Sequence, residues 1–210
     1  MKVWAKTIKI VKAVLIIGAI LFLTSCSGII PETDFAEQEN TLYGGILPEN
    51  EFTAKGSSVS LDVPFQKYAG VNWCLPASAA MTLEFFGLNI SQQQLAQKII
   101  KPDGLGDVYK MVRFARDLGF KASFTVLTLE QIEESLFNNI PLIAIQKYKE
   151  NNPLAHARVI IGYDAEKKEI ITNDPTIGKN YTVSYNQFKN LNLTANPEYC
   201  MAIVINPTYL

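Results

Sequence analysis

The sequence predicts an α+β protein in which helices come first and an antiparallel sheet follows. Between residues 74 and 137, four segments begin with helix-start signals. Between residues 141 and 205, short apolar or alternating runs are separated by turns, which is typical of strands. We therefore expect N-terminal helices packed on a C-terminal antiparallel sheet.

The helical half follows a short strand. The alternating residues 59–65 predict a strand that ends at Pro64. Pro76 in a first turn and Gly87 as a stop predict a helix after Cys74. Capping residues predict three more helices: one opened by Ser91 with Gln94 and running to about Ile100, one capped by Asp107 and ending at Gly119, and one opened by Thr128 with Gln131 and running to about Phe137.

The second half contains several strand candidates. In chain order they are Pro141–Gln146, Ala157–Asp164, Glu169–Asp174, Tyr181–Val183 and Tyr199–Ile205. A charged turn at 165–168 joins the second and third candidates into a hairpin, so these two strands are predicted to be antiparallel neighbours.

The composition is that of an ordinary folded protein. Of 210 residues, 48% are hydrophobic and 19% are charged, which excludes a disordered, collagenous or disulfide-dense chain. The formal net charge is −1 and no block of Lys or Arg occurs in the body of the chain, so we expect no nucleic-acid partner. One histidine cannot build a His-rich metal site, and no phosphate-binding loop or dinucleotide fingerprint is present. We therefore expect no metal and no cofactor.

The first 26 residues are typical of an export signal. Four lysines precede an apolar run at 13–23, which is short for a membrane span, and small residues then precede Cys26. The sequence Leu23–Cys26 resembles the bacterial lipobox, in which the cysteine becomes the lipidated N-terminus. We predict a lipoprotein signal peptide over 1–25, with a plain membrane anchor as the alternative. The mature chain is then expected in the bacterial cell envelope, on the exported side of the membrane and held there by its lipid.

The rest of the chain divides into a tether and one domain. Residues 26–57 carry acids, prolines and paired glycines with no sustained helical or strand period, which predicts a flexible tether after the lipidated cysteine. Residues 58–210 have a normal length for a single core. The sequence does not predict an oligomeric state.

Cys74 is the first candidate for chemistry. At the start of a predicted helix, unpaired backbone N–H groups and the helix dipole lower the pKa of a thiol and favour the nucleophilic thiolate. A neighbouring N–H group can also bind an oxyanion. The alternatives are a buried structural cysteine and a disulfide with Cys200, which an oxidising compartment would permit.

His156 and Asp174 are the candidates for activating that thiol. His156 is the only imidazole, is predicted to begin a strand, and has a pKa suited to a base. Asp174 ends the partner strand of the hairpin and is predicted to face a residue about three places from His156. A slight bulge or an angled side chain would bring the carboxylate to the imidazole. The alternatives are a structural or exposed histidine and an ordinary Asp-Pro turn at Pro175.

Taken together, these residues resemble the papain-like cysteine peptidases, and more closely the bacteriocin-processing (double-glycine) peptidase-like branch. The segments that carry the resemblance span most of residues 60–206 and are Val63–Gln66, Cys74–Ser78, Leu118–Ala122, His156–Asp164 and Asn173–Pro175. The resemblance implies the papain-like fold, with the nucleophile helix packed against the sheet that carries His and Asp. It also implies a peptide or protein substrate bound in extended form in the cleft between them.

The resemblance further implies hydrolysis of an amide bond through an acyl-enzyme intermediate. The roles carried over are Cys74 as nucleophile, His156 as general base and then acid, Asp174 as orienting carboxylate, and Gln66 as side-chain donor of the oxyanion hole. Two positions depart from the family. Gln66 lies eight residues before the cysteine, a slightly longer gap than usual, so Asn72 is the alternative donor. Leu75 stands where the family usually has Gly or Asn.

Two other functions fit the same residues. One is a peptide-binding lipoprotein that has the papain-like fold without turnover, which a misplaced Gln66 or a Cys74–Cys200 disulfide would produce. The other is an acyl transferase, such as a transpeptidase, in which an amine takes the place of water.

Overall fold

The protein, seen in a computed structural model that describes residues 57–207, combines helices with one antiparallel sheet, as the sequence predicts. The described helices are α1 (Cys74–Phe85), α2 (Gln92–Ile99), α3 (Val108–Asp117), α4 (Leu129–Phe137) and α5 (Tyr185–Leu191). The described strands are β1 (Ser58–Ser60), β2 (Lys121–Leu127), β3 (Leu142–Lys149), β4 (Asn152–Asp164), β5 (Glu169–Asp174), β6 (Gly178–Ser184) and β7 (Cys200–Asn206). The predicted signal peptide, Cys26 and nearly all of the predicted tether lie outside the described residues.

Local capping decides where the helices begin. The side chains of Ser91 and Thr128 accept hydrogen bonds from the backbone N–H groups of Gln94 and Gln131, whose own side chains reach back to complete capping boxes. Asp107 accepts from two backbone N–H groups at the start of α3. All three predicted helix starts are therefore confirmed.

The strand order in the sheet is β2-β7-β3-β4-β5-β6, and every neighbouring pair is antiparallel. β1 pairs with residues 162–164 of β4, beyond the point where β3 begins. A Cβ atom at Gly162 would collide with the carbonyl oxygen of Val59, so β1 can approach this closely only because the residue is glycine.

The helices cover the sheet in two groups. Neighbouring residues of a strand point to opposite faces, and Leu142 and Ile143 of β3 belong to different apolar clusters. Helices α1–α3 contribute Leu83, Leu95 and Met111 to the cluster that contains Ile143, whereas α4 and α5 contribute Ile132, Leu136 and Phe188 to the one that contains Leu142. The central strands are therefore buried on both faces, which holds β4 and α1 firmly in place.

The structure also contains elements that the sequence analysis did not predict. Strand β2 lies between α3 and α4 in the chain and pairs with β7 at one side of the sheet, so the helices do not all precede the strands. Helix α5 begins with a capping box formed by Ser184 and Gln187. The strand predicted at 59–65 was too long, because only Ser58–Ser60 pair with β4.

The position predicted for His156 at the start of a strand was wrong. Strands β3 and β4 continue as a paired arm to Lys149 and Asn152, and His156 lies inside β4 opposite Gln146. The polar residues of this arm carry no apolar alternation, so the sequence pattern ends before the backbone pairing does.

Candidate active site

Cys74 is the first residue of α1 and is half-buried. The preceding turn is closed by a hydrogen bond from the Trp73 N–H to the carbonyl of Gly70 (3.1 Å). Trp73 provides no side-chain cap and Pro76 has no N–H group, so the N–H groups of Cys74 and Leu75 are the donors at this helix start. The backbone of Leu75 hydrogen bonds to the thiol, and so does that of Ala157 in β4.

The imidazole of His156 connects the thiol to a carboxylate. Its Nε2 atom lies 3.0 and 3.1 Å from the two oxygens of Asp174, and its side chain also hydrogen bonds with Cys74. An ionised carboxylate only accepts, so Nε2 carries the hydrogen and Nδ1 is the nitrogen left for the thiol. The ring is 5% exposed, and Tyr148 packs edge-on against it with the ring centroids 5.3 Å apart.

A β-bulge brings His156 and Asp174 to the same face of the sheet. Near the hairpin turn Asp164 pairs with Glu169, but farther on Val159 pairs with Asn173, because Ile161 is an extra residue in β4. Continuing this register puts Asp174 opposite position 158, two positions from His156. Without the bulge it would face Val159, three positions away, and point to the opposite face. The sequence predicts that Asp174 faces a residue about three positions from His156, and the bulge reduces this separation to two positions.

Asp174 is fully buried and is held from several sides. Its Oδ1 atom accepts from the N–H groups of Thr176 (2.8 Å) and Ile177 (3.1 Å), which closes the Asp-Pro turn. Its Oδ2 atom lies 3.3 Å from Nε of Arg158. The carboxylate therefore serves the turn and the imidazole at once, so the two interpretations of Asp174 are compatible.

The contacts shift the acidities of the three side chains in directions that suit a thiolate–imidazolium pair. Burial alone raises the pKa of the Cys74 thiol, but the bonds from His156 and from the backbone of Ala157 lower it overall. Burial alone lowers the pKa of His156, but its bonds to Asp174 and Cys74 raise it overall. Burial alone raises the pKa of Asp174, and the hydrogen bond and charge of His156 together with the charge of Arg158 hold it below its usual range.

The second described cysteine lies in a contrasting environment. Cys74 and Cys200 are both free thiols, so the disulfide that the sequence left open is not formed in this structure. Cys200 begins β7 and is fully buried, and this burial raises the pKa of its thiol to about 12. It therefore stays protonated and unreactive at neutral pH.

The structure places Gln66 away from this cluster. Its Nε2 atom donates to the carboxylate of Glu84 (2.7 Å), and its Oε1 atom accepts from Nε2 of Gln92 (3.0 Å). Glu84 follows Cys74 by ten residues on α1, which corresponds to about 15 Å along a helix axis. Gln66 is thus bound near the end of α1 that lies opposite Cys74. Asn72, the alternative donor, is exposed two residues before the cysteine and has a left-handed backbone (φ 61°).

Sequence reasoning missed Arg158, which contacts Asp174. The signal was available, because a charged residue inside the apolar run 157–163 must find a partner when the strand is buried. Leu75, by contrast, is buried against Gly106 in the loop before α3, where a Cβ atom would come within 2.8 Å of the leucine side chain. It therefore packs into the core next to the thiol.

Within residues 57–207, no three or more His, Cys, Asp or Glu side chains are grouped so that they could hold a metal ion. In the same part of the chain, no helix has both the length and the apolar character that crossing a bilayer requires.

Known proteins resemble the chain in sequence and in fold. The sequence model of the Peptidase_C39 like family matches residues 60–195, which is more than half of the chain. No curated protein sequence matches.

Three solved structures share the fold at low sequence identity. A Bacillus anthracis protein described as a C39-like peptidase has a TM-score of 0.58 at 20% identity, covering 74% of this chain and all of its own. A double glycine motif protease from an AMS/PCAT transporter, in complex with the leader peptide, has a TM-score of 0.55 at 19% identity, covering 71% of this chain and 95% of its own. Xylellain, a cysteine protease from Xylella fastidiosa, has a TM-score of 0.56 at 12% identity, covering 74% and 88%.

Proposed function

Because the chain belongs to the Peptidase_C39 like family and has the papain-like α+β fold, we propose that it is a cysteine peptidase that hydrolyses peptide bonds through an acyl-enzyme. Cys74 is the nucleophile, His156 the base and then the acid, and Asp174 the orienting carboxylate. One observation carries the proposal: an unbroken series of contacts joins the Cys74 thiol, the imidazole and a fully buried carboxylate.

The reaction follows from that series. Nδ1 of His156 takes the thiol proton, and the thiolate attacks the carbonyl carbon of the scissile bond to form a tetrahedral oxyanion. The imidazolium then returns the proton to the departing amine, which leaves an acyl-thioester on Cys74. A water molecule, deprotonated by His156, hydrolyses the thioester, and the thiol regains its proton. Asp174 keeps Nε2 protonated and stabilises the imidazolium throughout.

The oxyanion needs donors next to the thiol. The backbone N–H of Cys74 at the start of α1 is one, and the dipole of the helix adds to it. Gln66 is the side-chain donor that the family resemblance implies, but its bonds to Glu84 and Gln92 favour the alternative donor, Asn72. Asn72 precedes the nucleophile by two residues and is exposed, and among the described residues no side-chain contact ties up its amide.

We further propose that the substrate is a peptide or protein in extended form and that the enzyme is of the double-glycine peptidase type. The structural relative bound to a leader peptide supports a peptide substrate.

The lipobox-like residues before Cys26 support a lipid anchor on the exported side of the bacterial membrane. We expect the wild-type chain to incorporate labelled fatty acid and the Cys26→Ser variant to incorporate none. Equal labelling of the variant would refute the anchor.

The test of the activity is turnover of a defined peptide library by the full-length chain, with product masses read by mass spectrometry. We expect two fragments per cleaved peptide, a mass gain of one water in total, and no product with Cys74→Ala. Added amine nucleophiles separate hydrolysis from acyl transfer, because a transferase gives amine adducts in preference to acids. Peptides that bind the wild-type chain and are never cleaved would instead identify a binding protein.

A further inference from the structure

Arg158 is a buried cation beside the proposed catalytic residues. Its side chain is 2% exposed, and it lies two positions after His156 in β4, opposite the end of β5. Nε lies 3.3 Å from Oδ2 of Asp174, whereas Nη2 donates to the carbonyls of Lys147 (3.1 Å) and Tyr148 (3.4 Å). Burying a guanidinium is unfavourable unless its charge is compensated, so its position demands a partner, and that partner is Asp174.

We propose that Arg158 is a positioning residue that keeps Asp174 ionised and sets the pH range over which Cys74 and His156 exist as an ion pair. This inference rests on the proposed function, since it concerns the same three side chains. It adds to that function a fourth residue, which the family resemblance did not supply.

The charges of the cluster balance only when Arg158 is included. In the active form, the thiolate and the carboxylate are negative and the imidazolium is positive, which leaves one uncompensated negative charge in a buried site. Arg158 makes the four-residue cluster neutral. Its Nε–H is not aligned for a hydrogen bond, so the contact with the carboxylate is electrostatic rather than directional.

The guanidinium of Arg158 acts on the three neighbouring titratable groups in one direction. A fixed positive charge favours the thiolate and the carboxylate and disfavours the imidazolium, so Arg158 lowers the pKa values of Cys74, Asp174 and His156 together. Four groups on the elements packed around it interact with the guanidinium: Cys74 from α1, Asp174 from β5, Tyr181 from β6 and Cys200 from β7. His156, on the same strand, shares the carboxylate with it. The ammonium group of Lys147 is directed elsewhere, to the carbonyl of Asn190 (3.0 Å).

Arg158 also fixes the position of the carboxylate. Because Nη2 is bound to carbonyls of β3, the guanidinium bridges β3 and β5 from its own strand between them. Oδ1 of Asp174 is fixed by the turn N–H groups and Oδ2 faces Arg158, so the carboxylate cannot rotate away from the imidazole. The cation thus supports both the charge and the orientation of the group that orients His156.

Two measurements test this without any substrate. His156 is the only histidine in the full-length chain, so its imidazole resonances in an NMR titration are unambiguous. The pH dependence of iodoacetamide alkylation at Cys74, resolved by peptide mapping, follows the thiolate. Because the two groups titrate as a coupled pair, both macroscopic midpoints are compared.

In Arg158→Gln we expect both midpoints to move to higher pH by about 2 units, which is the size expected for one unit charge about 6 Å away at an effective dielectric constant near 20. Arg158→Lys, the matched control, keeps the charge and should hold both midpoints near their wild-type values. A residue that only supports packing would lower the melting temperature and leave the midpoints in place. Unchanged midpoints in folded Arg158→Gln would overturn the proposal.

Arg158→Gln leaves Asp174 buried with less compensation, and it could fail to fold. The double variant Arg158→Gln/Asp174→Asn removes both charges and is then compared with Asp174→Asn alone. The proposal requires the imidazole midpoint of the double variant to be higher, and equal midpoints would refute it. Since neither readout uses a peptide, a chain that cleaves nothing but shows these shifts would end the proposed activity and retain the role of Arg158.

Discussion

The surroundings of Cys74 and those of Cys200 act in opposite directions on the same chemical group. Burial disfavours the thiolate at both positions. Cys74 faces donors, namely the imidazole of His156 and the backbone groups of Leu75 and Ala157, and these bonds lower the pKa of its thiol. Cys200 instead donates to the carbonyl of Met201 (3.5 Å), a bond that favours the protonated thiol. Burial therefore goes uncompensated at Cys200, whereas at Cys74 the donors outweigh it, and this balance decides which thiol is the more acidic.

The largest expected effect comes from removing the imidazole. In His156→Ala the thiol loses both its base and its strongest donor, so we expect turnover to fall by about 10³-fold or more. Alkylation of Cys74 at pH 6 should fall toward the rate of an ordinary thiol, which makes the two cysteines more alike. Peptide mapping after alkylation measures this, with Cys200 in the unfolded chain as the reference. Alkylation of Cys74 as fast as in the wild type would show that His156 does not activate it.

A smaller loss is expected from Asp174→Asn. The amide can no longer stabilise the imidazolium, so we expect kcat/KM to fall by about 10²-fold and the thiol to become less acidic. Pre-steady-state acylation by an activated ester measures this step. Full activity in the variant would remove Asp174 from the mechanism.

The same variant tests the linkage between this site and stability. The pKa of Asp174 is lower in the folded chain than in the unfolded one, so its contribution to stability is present above about pH 4 and is lost as the pH falls further. The difference in unfolding free energy between the wild type and Asp174→Asn should therefore shrink from about pH 5 to about pH 3 in urea titrations, a range below the one in which His156 titrates in the unfolded chain. A difference that grows toward low pH would contradict the assigned direction.

Two matched substitutions distinguish the roles of the amide side chains at the two ends of α1. Asn72→Ala should lower kcat by about 10²-fold through loss of an oxyanion donor, with little change in stability. Gln66→Ala should lower the free energy of unfolding by about 1 kcal/mol through the lost bonds to Glu84 and Gln92, with little change in kcat. The reverse pattern would return the role of oxyanion donor to Gln66.

The smallest effect is expected at the second cysteine. Cys200→Ala should lower the free energy of unfolding by about 1 kcal/mol, because it removes a buried sulfur, and should leave turnover unchanged. Thermal unfolding and peptide hydrolysis measure the two quantities. A marked loss of activity with normal stability would mean that Cys200 takes part in the function.

Helix starts and scarce reactive residues could be predicted because their signals are local. The capping boxes of Ser91 and Thr128 depend on a residue three positions away, and they form as predicted. The sequence also shows that Cys74 lies two residues before Pro76 at a predicted helix start and that the chain has a single histidine. Strand β2 could not be predicted, because it is held by pairing with the distant strand β7. The arm of β3 and β4 could not be predicted, because its polar residues carry no apolar alternation.

The amino-acid sequence by itself determined the α+β class and the helix starts, and it pointed to Cys74, His156 and Asp174 as the candidate catalytic residues. Only the tertiary structure decided the register, in which the extra residue Ile161 turns Asp174 to the face of His156. It also decided that Arg158 meets that carboxylate and that Gln66 is bound to Glu84 instead of lying beside the thiol. The reason is physical: caps and turns are satisfied within a few residues, whereas a buried charge or amide takes whichever partner the packing of remote strands and helices brings to it.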